Sequence, residues 1–108
     1  MGNKTSLEEK LHTLARVTAL GGDDRVIEQT VTKLLAYAAD RHRQELEDIA
    51  AKLRDLEAHF GMASAQFAEQ FQRGELGDDE AFFRWDALLE MQHRVTQRLA
   101  LLQADASP

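Results

Sequence analysis

From Asp24 to Phe60 nothing in the chain would break a helix: there is no proline and no glycine in the whole stretch. A helix is the element that tolerates such a run, and the apolar residues recur at helical spacing. They are Ile27, Val31, Leu34 and Ala38 in the first half. In the second half they form a heptad seam, Leu46, Ile49, Leu53, Leu56 and Phe60, spaced 3, 4, 3, 4. Asp23 or Asp24 supplies a cap at one end, and Gly61 a stop at the other. The spacing therefore predicts one helix of about 54 Å.

The rest of the chain is punctuated the same way. The only proline is Pro108, and glycine pairs or near-pairs fall at Gly21-Gly22 and Gly74 to Gly77. Ser6-Leu7-Glu8-Glu9 reads as a capping box opening a first helix, with Leu7, Leu11, Leu14 and Val17 on one stripe and Gly21-Gly22 ending it. A short helix from about Ser64 to Arg73 puts Phe67 and Phe71 four residues apart on one face. Asp78 is read as the cap of a last helix whose seam is Trp85, Leu88, Gln92, Val95, Leu99 and Leu102, with residues 105–108 as a frayed tail.

The expected fold is thus all-α: a long spine helix with antiparallel helices folded back on it, in the manner of a helical hairpin or coiled-coil bundle. The chain is expected to be one helical domain, 1–108. Residues 1–22 form an extra N-terminal helix, 23–60 the spine, and 61–104 the short helix, acidic turn and C-terminal helix. Hydrophobic residues make up 44% of the chain, but much of that is alanine, which buries little area. A thin core with one apolar side left open predicts a homodimer.

Charge narrows the function classes. The net charge is −6. Between Glu75 and Glu90 stand Glu75, Asp78, Asp79, Glu80, Asp86 and Glu90 against Arg84 alone, which gives −5 in that segment and −1 in the remainder. A nucleic-acid binder carries the opposite footprint, so no direct nucleic-acid contact is expected. A basic protein is the electrostatic complement. There is no cysteine, so disulfides and thiolate chemistry are excluded. No apolar run approaches a membrane span, and residues 1–10 lack the apolar core of a signal peptide, which leads to the expectation of a cytoplasmic protein without a membrane partner.

No catalytic motif competes with this picture. His12, His42, His59 and His93 are scattered. Glu90 and His93, with Asp86, have ligand-like spacing, but a di-metal bundle needs its ligands facing inward, and on the heptad these three fall on the side away from the seam. No enzyme activity, metal or cofactor is expected. Arg41-His42-Arg43, Lys52 and Arg54 alternate with Glu45, Glu47 and Asp48 and read as a solvated face.

The aromatic residues are crowded into the second half: Phe60, Phe67, Phe71, Phe82, Phe83 and Trp85. Most of them, Trp85 included, are expected in a small core where helices meet. Adjacent residues of a helix cannot both face one core, so Leu76 and one of Phe82 or Phe83 remain as exposed anchors.

The stretch Met62-Ala63-Ser64, Phe67, Phe71, Gly74-Glu75-Leu76-Gly77-Asp78-Asp79, Phe82-Phe83-x-Trp85, Leu88 resembles small helical proteins of bacteria and archaea. These are encoded beside TumE-like toxins and assigned as their antitoxins. The likeness covers about Val31 to Leu102, and the helix between Thr5 and Gly22 looks like an extension. Ala63 departs from it, where a polar cap is expected. The resemblance implies the antitoxin of a type II toxin–antitoxin pair, which neutralises an RNase toxin by direct binding. Glu75, Leu76, Asp78, Asp79 and Phe83 are the residues expected to contact it. The rival reading is a self-associating coiled-coil scaffold or adaptor with no toxin partner.

Overall fold

The computed structural model describes residues 6–21 and 24–106; residues 1–5, Gly22, Asp23, Ser107 and Pro108 lie outside the described residues. Those described form four helices and no strand: α1 Leu7–Ala19, α2 Arg25–Phe60, α3 Ser64–Gln72 and α4 Glu80–Ala106. The fold is all-α, as expected. The contacts gather into two compact units, Met1–Leu34 and Leu35–Pro108, and the division falls within α2.

In the first unit, Ser6 caps α1 through the expected box. Its Oγ accepts the Glu9 N–H at 3.1 Å, and the Glu9 carboxylate accepts the Ser6 N–H at 3.3 Å. Asp24 caps α2 by accepting the N–H groups of Val26 and Ile27. The apolar stripes of α1 and of the start of α2 line a common groove of about 510 Å³. No residue of α1 is buried.

In the second unit, α2 packs against α4 as a helical hairpin, with α3 closing one end. The core is Ile49 and Leu53 from α2, Phe67 from α3, and Trp85 and Val95 from α4. Leu46, Leu56, Phe60, Met62, Phe71, Leu76, Phe82, Leu88 and Leu89 pack around it. Both heptad seams thus face inward as the spacing predicts.

The corner between α2 and α3 is set by glycine and by Glu57. Gly61 takes φ +61°, and the Met62 N–H reaches back to the Glu57 carbonyl at 3.1 Å, which closes the end of α2. Gly74 does the same for α3 at φ +70°, with Gly74 N–H to the Phe71 carbonyl and Glu75 N–H to the Gln70 carbonyl. Ala63 gives α3 no side-chain cap. The Glu57 carboxylate takes that place by accepting the Ser64 N–H at 2.8 Å. One residue of α2 therefore terminates its own helix through its carbonyl and starts the next through its side chain.

Two boundaries differ from the expectation. Asp79, not Asp78, caps α4: its Oδ1 accepts the Ala81 N–H at 2.9 Å and its carbonyl the Phe82 N–H at 3.0 Å. The turn after Gly74 uses one more residue than an Asp78 cap would allow. The last helix also continues to Ala106, through two residues expected in a tail.

Candidate functional site

The acidic segment forms the turn between α3 and α4 and the first turns of α4. The core behind it is aromatic. Trp85 and Phe67 are both 0% exposed, and their rings lie 4.1 Å apart and nearly parallel at 3°. Phe60 also stacks on Trp85, at 5.8 Å, and Phe82 lies against both Phe60 and Phe67. The Trp85 Nε1–H donates to Ser64 Oγ at 2.9 Å, so the one polar atom of the indole is satisfied inside the core. The Ser64 backbone N–H and hydroxyl hold the Glu57 carboxylate below the usual glutamate range. Trp85, Ser64 and Glu57 thus tie α4, α3 and α2 together at one point.

In front of this core stand the residues expected to meet a partner. Phe83 is 56% exposed and points away from the core that holds Phe82 and Trp85. Its ring meets Phe71 edge to face at 5.6 Å and 84°, which fixes its direction. Leu76 differs from the expected exposed anchor. It is half-buried and packs against the core, so it fixes the turn as much as it faces outward. Glu75, Asp78, Asp79 and Glu80 are all exposed. Arg73 offsets part of this charge, pairing with Glu69 at 2.6 Å and more loosely with Glu75 at 3.8 Å. Asp79 is engaged as the helix cap. Asp78 and Glu80 are left exposed at the positive end of the α4 dipole, which favours acidic side chains. Turn and helix start therefore expose one ring and a group of carboxylates within nine residues of chain, 75–83.

Sequence reasoning missed a second feature of this unit. Lys52, Asp55 and Leu56 of α2, with Arg84, Ala87, Leu88 and Met91 of α4, line a shallow groove of about 520 Å³. Phe83, Ala87 and Met91 run along α4 at spacings of four, an exposed line next to the buried seam. That spacing was the available signal, hidden because alanine marks no face by itself. Asp86, Glu90 and His93 are exposed, and Glu90 pairs with Arg94 at 2.9 Å. Among the described residues no three His, Asp or Glu side chains converge as a metal site requires. No described helix is long and apolar enough to cross a membrane.

The fold and this segment define a small all-α protein with an acidic, aromatic-tipped surface. Comparison with protein-family models, with curated proteins and with solved structures finds no match for the chain.

Proposed function

We propose that this chain is the antitoxin of a type II toxin–antitoxin pair, a homodimer that acts in the cytoplasm without enzymatic activity and neutralises a basic RNase toxin by direct contact. The observation that carries the reading is Phe83, a 56% exposed ring set edge to face on Phe71, in the segment that also exposes Glu75, Asp78 and Glu80. An RNase must hold phosphate, so its site is basic. An acidic edge with an apolar anchor competes for that site through the same electrostatics that attract RNA. The sequence resemblance to antitoxins of TumE-like toxins supports the same partner.

The experiment is co-expression with the product of the adjacent gene. The antitoxin reading expects the two proteins to co-purify and growth to be rescued. A folded protein that neither binds nor rescues overturns it. The scaffold reading draws its support from the exposed apolar stripe of α1; it expects self-association with no adjacent partner.

A further inference from the structure

We propose that the open apolar face of the α1 and α2 hairpin, residues 7–34, is where a second copy of this chain docks, so that two hairpins close into a four-helix bundle. Leu7, Leu11, Leu14 and Val17 form the apolar stripe of α1 and are 72%, 47%, 40% and 53% exposed. On α2, Ile27 and Val31 are half-buried and Leu34 is exposed. The groove between the stripes is lined by Leu11, Leu14, Ala15, Thr18, Ile27 and Val31 among others. A helix of 13 residues is marginal by itself in water, and one with no buried residue draws little from the hairpin. The spacing 4, 3 shared by Leu7, Leu11, Leu14 on α1 and by Ile27, Val31, Leu34 on α2 is that of knobs that seat in a partner helix.

Charge selects the occupant. Residues 1–34 carry Lys4, Lys10, Arg16, Arg25 and Lys33 against Glu8, Glu9, Asp23, Asp24 and Glu28, a net of zero, while residues 35–108 carry the whole −6. A basic or an acidic protein finds no net complement on this segment. An identical hairpin meets it without net repulsion, as a two-fold contact requires. A lipid surface calls for a basic polar face and interfacial aromatics, whereas α1 balances Lys10 and Arg16 with Glu8 and Glu9 and has no Phe, Trp or Tyr. The inference rests on the homodimer named above but not on the toxin, because the toxin edge lies in residues 75–83.

The test uses the full chain and its lack of cysteine. Sedimentation of the wild type at tens of micromolar should give a dimer, and Leu11→Asp/Leu14→Asp a monomer that keeps the cooperative unfolding of residues 35–108. Because those substitutions could unfold α1, single cysteines provide the second arm. Leu14→Cys, on the stripe, should form a disulfide-linked dimer under copper–phenanthroline much faster than His12→Cys on the opposite face of α1. A wild-type monomer overturns the proposal, as does equal or reversed cross-linking. So does shielding of Leu14→Cys from alkylation only on adding the adjacent toxin, or only on adding anionic phosphatidylglycerol vesicles. Loss of toxin binding with the dimer intact would instead count against the antitoxin reading alone.

Discussion

Replacing Trp85 by alanine tests whether the second unit is held where the structure places its centre. The indole is fully buried, stacked with Phe67 and Phe60, and hydrogen-bonded to Ser64. A buried Trp removes about 150–250 Å² from water. At about 25 cal/mol per Å² this is roughly 4–6 kcal/mol, an upper bound because an unfolded chain already covers part of its apolar surface. Reduced accordingly, and with a cavity left that the stacked rings only partly fill, Trp85→Ala should cost about 3–5 kcal/mol. Trp85→Phe keeps most of the stacking and removes the donor. Ser64 keeps its link to Glu57, so this variant should lose only about 1–2 kcal/mol. The assay is urea unfolding followed by helical circular dichroism. As the sole tryptophan, Trp85 should also give the wild type a blue-shifted emission. A Trp85→Ala protein within about 1 kcal/mol of wild type, or water-like emission from the native protein, would refute the reasoning.

Two further outcomes follow from the helix ends. Glu57 has its folded pKa lowered by Ser64, so its contribution is present above the ordinary glutamate value of about 4.3 and is lost as pH falls through the lower folded value. The urea midpoint should therefore drop as pH falls below the ordinary glutamate value, and Glu57→Gln should flatten that part of the profile; an unchanged slope would contradict the assignment. Asp79→Ala should cost about 1 kcal/mol by removing the α4 cap, whereas Asp78→Ala should stay within about 0.5 kcal/mol, both read from thermal unfolding.

Helix number, the two heptad seams and most helix ends were legible in the sequence because they depend on residues within a turn or two of one another. Ser6 and Glu9 cap across three positions, and Gly61 and Gly74 stop helices through their own φ. What was not legible depends on parts distant in sequence. Ala63 looked like a missing cap, and the cap came from Glu57, which the Gly61 turn folds back. Trp85 lies in the small core expected of it and stacks on Phe60, but its nearest ring is Phe67 of α3, a pairing that no spacing within one helix reveals. Leu76 read as exposed since nothing around it is apolar in sequence, but the turn lays it on the core. At the candidate site, periodicity alone left Phe82 and Phe83 undecided. The helix phase fixed by Trp85 turns Phe82 inward and Phe83 out.

The central claim is that the acidic turn and Phe83 bind a basic toxin, and binding kinetics with the purified product of the adjacent gene test it most directly. Because Asp79 caps α4, the charge variant should be Glu75→Lys/Asp78→Lys, which leaves that cap in place. Carboxylates at the rim set the association rate, and a buried anchor sets the lifetime. The account predicts a wild-type association rate that falls steeply with salt, a slower and less salt-sensitive rate for the charge variant, and for Phe83→Ala a dissociation rate about 30-fold faster, the equivalent of about 2 kcal/mol. Unchanged rates in both folded variants would contradict the assignment of the site, and no binding by the wild type would contradict the antitoxin reading itself.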